Sequence, residues 1–535
     1  MPSAEAVMID PAAYAAHILL PYKNGMWGVK ESKIGTGVSM VDKASLYQSI
    51  FGLLREYDMV WEQPEALRIS SRGQNFSCLR NPQDYSNSEE FRQWAKKCVE
   101  TDEINFEIYG LWQDPVQQEL LRQIQAKIEQ DFGPNTPASC LKIRCICKEV
   151  GNLADAMPDD RKETKIRYCD EIVNAIGKTD AVTACIFVLP GQDQYPQGDP
   201  KQVLRNAFAQ TGRVVQFITP EVSEGYSKIS NAVYDLYRQL GVVTLLDPTK
   251  ELPPLANIPC IGMHLCTQIH GIANKARFLP LYVTVNIPEG KTIVYCDAFS
   301  KRSVSYREAC LEMAKLFWNS SLEQRGVDAS RVPAKQKLIE LKNYFYNKEN
   351  GVLLVVQSDG NTRAVWSGIS DKEIGGYDVI EPYCPTEINV GMPKNPYKMS
   401  LLDSGVRIMR IRSNQEVPDY YTGLSEKSTE ERLQLAASSG IFQYSDVYWG
   451  IHAKPNDSQY TRSFKSSRID RPKQRFAEKD MIELYPLQLQ PGDKAENWTF
   501  YTNALRHIPI QYNQSLILPL PLHLAEGLEE YLFDI

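Results

Sequence analysis

Between Asp114 and Leu246 the hydrophobic period switches repeatedly between helix-like and strand-like, and this constrains the fold more than any other feature. "DPVQQELLRQIQAKIEQDF" opens with Asp114 at an N-cap and Pro115 at the first helical position. Leu120, Leu121, Ile124 and Ile128 then recur at helical spacing. "CLKIRCICKEV" alternates like a strand, "TKIRYCDEIVNAIG" is helical and stops at Gly177, and "VTACIFVLPG" is a continuous apolar strand. "DPKQVLRNAFAQTG", "RVVQFIT", "SKISNAVYDLYRQLG" and "VVTLL" repeat the pattern as helix, strand, helix and strand. Strand and helix in strict alternation over about 139–246 predict a parallel sheet covered by helices, Rossmann-like in architecture. No G-x-G-x-x-G follows any of these strands, so a dinucleotide site is not supported.

From about residue 256 the pattern is different. Phe278 to Val285 and Lys291 to Ala298 read as two strands of a hairpin joined by "NIPEGK". Helices are predicted over 306–318, 334–346 and near 429–438, and strands over 351–356, 405–412 and near 446–452. A hairpin followed by alternating helices and strands fits an RNase H-like fold. The fold class is therefore α/β: residues 1–110 form a short N-terminal region with no evident chemistry, 111–255 a Rossmann-like domain and 256–535 an RNase H-like domain. In the first region Lys43 to Tyr57 reads as an amphipathic helix, with Leu46, Ile50, Leu53 and Leu54 on one face.

The N-terminus lacks the basic and long apolar segments of a secretory signal, and no run is long enough to span a bilayer. The 12 cysteines are scattered, which fits reduced thiols in a cytoplasmic protein. The net charge of −7 does not advertise a polyanion partner. The cations are unevenly placed, however. "RIMRIR" gathers Arg407, Arg410 and Arg412, and "RSFKSSRIDRPKQR" carries Arg462, Lys465, Arg468, Arg471, Lys473 and Arg475 against Asp470. Local patches of this kind can hold phosphates on an acidic chain, or can simply be solvated loops. Lys201 and Arg205 share one face in the first turns of a helix, where an anion is already favoured. Gln216 on the next strand and Lys228 on the next helix could join them at the carboxyl ends of parallel strands, making a pocket for a terminal phosphate.

"DPKQVLRNAFAQTGRVVQFITP" and "NAVYDLYRQLGV" resemble the MID part of prokaryotic Argonaute-like proteins of the PIWI-RE family. "NGVLLVVQSDGNTRAVWSGISD", "RIRSNQEVPDYY" and "LRHIPIQYNQSLILPLPLHLAEGLEEYL" resemble the PIWI part. The resemblance implies a MID lobe that holds a guide strand's 5′ phosphate through Lys201, Arg205, Gln216 and Lys228, with a magnesium ion at that phosphate as a further candidate. It implies that Arg412 and Glu416 are the arginine and glutamate for which the family is named. Arg363, Arg410, Arg412, Glu416 and the 462–475 segment would then lie along nucleic-acid backbone.

RNase H-type cleavage needs clustered carboxylates to hold two divalent cations. His523 matches the last ligand position of an Argonaute-type tetrad. The strand taken as the first offers Thr284 and Asn286 where an aspartate is expected. Asp297 lies on the next strand, and Glu308 and Glu312 match an inserted glutamate by spacing only. The second aspartate position falls on Ser358, with Asp359 one residue late, and a one-residue slip turns a strand side chain to the other face. Asn286, Ser358, Asp359 and His523 thus predict a degenerate site. The leading expectation is a guide-dependent, catalytically inactive binder of nucleic acid, pairing its guide with a complementary target in prokaryotic defence, with helicase and nuclease partners. An active guided nuclease using Asp359 and His523, and an Argonaute-shaped protein scaffold without a guide, are the alternatives.

Overall fold

In the computed structural model most of the chain from residue 77 to 532 is described, apart from 319–332, 424–439, 452–475, 509–515 and a few shorter loops. Of the first 76 residues only 49–50, 52–54, 56–57 and 67–69 are described. The predicted helix at 429–438, most of the one at 43–57, and Arg462, Lys465, Arg468 and Arg471 fall outside the described residues. The chain divides into two compact units. The smaller comprises Met1–Glu65, Asp419–Ser438 and Lys454–Lys479; its described strands, Tyr420–Gly423 and Phe476–Lys479, pair antiparallel. Among its described residues the larger contains two main sheets and three two-stranded ones.

The first sheet is built from β1 (Glu103–Gly110), β2 (Lys142–Glu149), β3 (Thr183–Val188) and β4 (Arg213–Ile218), in the order β2-β1-β3-β4 and all parallel. Three of the predicted strands lie in this parallel sheet; the fourth, at 242–246, is reduced to Leu245–Leu246 and pairs antiparallel with Cys78–Leu79. The parallel sheet also takes in β1, which precedes the 111 start expected for this domain. Helices α1 (Ser88–Val99), α2 (Pro115–Phe132), α3 (Lys162–Ile176), α4 (Lys201–Gln210) and α5 (Gly225–Gln239) surround it. Asp114 caps α2 as its sequence predicts, accepting from the Val116 amide at 2.9 Å. Strand alternation divides the core. Val214 and Ile218 of β4 join the cluster with Ile124, Ile128, Val233 and Leu236, whereas Val215 joins Ile172, Leu204 and Phe208 on the other face. Helices on both faces and a strand order that reverses beside β1 make this a doubly wound sheet, whose ligand crevice lies at the carboxyl ends of the strands.

The second sheet has ten strands. Its labelled members are β5 (Cys260–His270), β6 (Lys275–Asn286), β7 (Lys291–Tyr295), β8 (Val352–Gln357), β9 (Val406–Arg412), β10 (Gly440–Tyr444), β11 (Val447–Ile451) and β12 (Met481–Gln488), in the order β10-β11-β12-β9-β8-β5-β6-β7. Short strands Leu67–Ile69 and Ser303–Ser305 close the two edges. β8 runs parallel to both β5 and β9, and the other pairings are antiparallel. Helices α6 (Tyr306–Trp318), α7 (Pro333–Phe345), α8 (Gly360–Val365), α9 (Ala495–Ala504) and α10 (Leu520–Glu529) complete this half. The strand predicted to open the domain, 278–285, is the second one. β5 precedes it and is its antiparallel partner.

Helix α10 lies directly on β5, and Gly262 makes this approach possible. A Cβ at Gly262 would sit 2.5 Å from the Pro521 carbonyl carbon and 2.7 Å from the Leu522 amide nitrogen. The end of the chain also reaches the first sheet. Tyr531 donates nothing to β4 but accepts, through its hydroxyl, from the Val215 amide at 3.1 Å, which covers the open edge strand. The Tyr306 hydroxyl donates to the Leu524 carbonyl at 2.8 Å and accepts from Arg238 at 2.9 Å, tying α5, α6 and α10 together.

Candidate functional site

The four residues expected around a terminal phosphate are placed by α4, β4 and α5. Lys201 opens α4, with its amide held by Asp199 at 3.0 Å. Arg205, one turn on, lies over the rings of Phe217 and Tyr531 at 5.4 and 5.6 Å. Its guanidinium is paired with Glu530, while its Nε is buried without a hydrogen-bond partner. Lys228 donates to the Thr219 hydroxyl at the exit of β4. Gln216 is turned the other way. It neighbours Phe217 on the strand, so it faces α5, and its amide donates to Asp235 at 2.5 Å. Arg205 and Gln216 are thus on opposite sheet faces, and the expected convergence of the two does not occur.

The candidate backbone-contacting arginines make internal ion pairs. Arg363 of α8 forms a two-pronged pair with Glu416, at 2.9 and 3.0 Å, and also donates to the Ser358 carbonyl at 2.7 Å. The Arg363 contact holds the Glu416 carboxyl below its ordinary range, against the opposing effect of burial. Arg412 is held by carboxylates other than Glu416. Its Nε reaches both Glu483 oxygens at 3.0 Å and its Nη1 reaches Asp371 at 3.0 Å. Arg410 is 3% exposed and shares the same two carboxylates, at 2.5 Å to Glu483 and 2.6 Å to Asp371. Two arginines two residues apart on β9 therefore grip Glu483 on the adjacent β12, a cross-strand arrangement that fixes the sheet rather than presenting charge to solvent.

The four positions predicted for a degenerate cation site are used locally. Asp359 is the N-cap of α8, accepting from the Thr362 amide at 2.7 Å and its hydroxyl at 2.9 Å. The buried Ser358 hydroxyl donates to the Ile369 carbonyl at 3.4 Å. Asn286, at the end of β6, accepts from the Glu289 amide at 3.4 Å. His523 sits in the first turn of α10, where burial first and then the nearby Arg238 charge push its imidazole down to about 4. With β5 as the first strand, the side chain beside the carboxyl end of β8 is His264, whose Nδ1 lies 3.1 Å from Oε1 of Gln357. A pair of hard divalent cations needs several carboxylate oxygens. His264, Gln357, Ser358 and an Asp359 engaged as a helix cap do not fit such a pair, and the two carboxylates nearby are engaged, Glu526 by Gln357 and Glu529 by His264. The sequence reading missed His264 because "CIGMHLCTQIH" lacks clean alternation; its position just before a long hairpin strand was the available signal.

His523 yields a pH prediction. Its folded-state value lies below that of a free histidine, near 6.5, so the unfolded chain takes up the proton first as pH falls. Stability is unaffected by this group above pH 6.5 and declines between 6.5 and about 4, by up to about 3 kcal/mol. Urea midpoints for the parent and for His523→Gln, taken across this range, should converge at low pH; parallel curves would remove His523 as the cause.

Residues 260–534 match the family profile described as the RNaseH domain of pPIWI_RE, more than half the chain. The chain belongs to the pPIWI_RE family. Residues 148–248 match the MID domain of pPIWI_RE, so this pPIWI_RE protein joins a MID domain to an RNase H-like PIWI domain, as its sequence resemblance implied. No curated protein matches it. Similar solved structures include the Argonaute of Kluyveromyces polysporus with a guide RNA, at 11% identity, TM-score 0.44, over 99% of this chain and 64% of that one. The Clostridium butyricum Argonaute bound to a guide DNA and a 19-mer target DNA matches at 13% identity, TM-score 0.41, over 88% and 52%. A. aeolicus Argonaute matches at 9% identity, TM-score 0.45, over 93% and 59%. The pPIWI_RE chain thus spans less than two thirds of the length of each of these Argonautes. Among its described residues no helix is long and apolar enough to cross a membrane.

Proposed function

We propose that this pPIWI_RE protein binds a guide strand and, through it, a complementary nucleic-acid target, without cutting either. The observation that carries the reading is the union of a MID domain with an RNase H-like domain whose first-strand position is a histidine. Base pairing would supply specificity while the protein grips backbone and the guide's end. Lys201, Arg205 and Lys228 are the residues proposed to receive the 5′ phosphate. The His264 imidazole beside the end of β8, with Asp359 engaged as a helix cap, supports the absence of two-cation cleavage. A role in prokaryotic defence, acting with helicase and nuclease partners in the cytoplasm, is part of the same proposal.

The test is to purify the protein from cells and determine the length, 5′ end and sugar of the nucleic acid bound to it. A defined population of short 5′-phosphorylated strands is expected, and a complementary target added with magnesium or manganese should be retained intact. Cutting that disappears in Asp359→Ala would establish the nuclease instead. Clean protein that also refuses synthetic 5′-phosphorylated strands would establish a scaffold.

A further inference from the structure

The network around His264 is unusual for a buried histidine. His264 and Cys266 are two residues apart on β5, so both face α10, which brings Glu529 down onto them. One ligand atom from each of the three side chains lies within 4.8 Å of the others. His264 is 6% exposed. Its Nδ1 faces Oε1 of Gln357, which can only accept, so Nδ1 carries the hydrogen. The amide of Gln357 is fixed the same way round by its bond to the Glu526 carboxyl. This leaves the lone pair of Nε2 directed at Glu529, with Oε1 only 3.0 Å away. The approach lacks the alignment of a hydrogen bond, and Nε2 is buried without a hydrogen-bond partner. Two acceptors held together in this way need a cation between them. Either the ring is protonated, which Glu529 and Glu526 favour against the cost of burial, or a metal ion lies there.

We propose that His264 Nε2, Cys266 Sγ and a Glu529 oxygen bind one zinc-class divalent cation that fastens α10 to the first strand of the RNase H-like sheet. The donors are one imidazole nitrogen, one sulfur and one carboxylate oxygen, a set that suits zinc and not magnesium or calcium. A tetrahedral zinc ion spaces such ligands about 3.3–3.6 Å apart, a spacing this cluster reaches with small side-chain movements. Gln357 plays the part of the carbonyl that usually orients a metal-binding histidine through its other nitrogen. Cys266 must lose its proton on binding. Metal uptake therefore releases a proton and rises with pH. This site differs from a two-cation cleavage centre in ligand type and in number of ions, and it stands whether or not the protein binds a guide.

The full-length chain, stripped of metal and then titrated with Co2+ or Zn2+, tests the proposal. A single equivalent of Co2+ should bind with thiolate-to-cobalt charge transfer and intense tetrahedral visible bands, and Zn2+ should displace it while excess Mg2+ does not. Cys266→Ser should abolish the charge-transfer band and weaken Zn2+ at least tenfold. Gln357→Met, which touches no metal, should weaken Zn2+ by about 10–100-fold and keep the band. The Gln357 variant decides the matter if the cysteine variant fails to fold. No stoichiometric uptake, uptake unaltered by both substitutions, or a His264 ring found protonated in protein equilibrated with Zn2+ would each overturn it.

Discussion

Glu483→Ala is expected to cost about 3–5 kcal/mol of folding stability, enough to threaten the fold of the whole second sheet. Glu483 is 1% exposed and is the shared counter-charge of Arg410 and Arg412. Removing it strands a buried guanidinium at Arg410, whose remaining carboxylate, Asp371, is 66% exposed on its side chain. The loss reflects the uncompensated charge more than the worth of the pair. Arg410→Met combined with Glu483→Leu should therefore recover much of it. Chemical denaturation of the three proteins reads both effects. A single variant within 1 kcal/mol of the parent, on the order of a surface change, would show that the network is wetter than its geometry indicates.

Arg205→Met is expected to weaken binding of a 5′-phosphorylated strand by about 10–100-fold relative to the same strand with a 5′ hydroxyl. That range corresponds to one charge-assisted hydrogen bond of about 1.5–3 kcal/mol. Methionine keeps the stem over Phe217 and Tyr531, so the packing there survives. Glu530→Gln should act in the opposite sense. Glu530 already occupies the Arg205 guanidinium, and an incoming phosphate must displace it. Neutralising it should tighten phosphorylated strands several-fold and leave hydroxylated ones unchanged. Direct binding measurements with the two strands distinguish these outcomes. Equal losses for both strands in Arg205→Met would mean that Arg205 holds α10 in place and does not meet the phosphate.

How much of this was legible in the sequence depends on how far apart the interacting residues lie. Three strands of the first sheet were readable because they and the helices between them carry their own periods and, at Asp114, a local cap, whereas the central β1 was not read. The cap at Asp359 was equally local: Asp359 and Thr362 stand at capping distance, which explains why that carboxylate is not available as a ligand. β5 was harder. Its pattern is broken by Gly262, which is there to admit α10, and by His264, which faces the same helix. Neither reason is visible until the far end of the chain is in place. The pairing of Arg412 with Glu483 is likewise set by strand register, which spacing along the chain does not encode.

The contact between Tyr531 and the Val215 amide spans 316 positions of sequence. On the ribosome β4 is made early, and its outer edge stays uncovered while the entire second sheet is synthesised. The first domain is thus born with an adhesive flank that Tyr531 of the other domain later seals. Nascent chains of intermediate length would be the vulnerable species, prone to pair edge to edge with their neighbours on a polysome. The closing residues serve the molecule as a late-arriving guard on a surface completed hundreds of codons before.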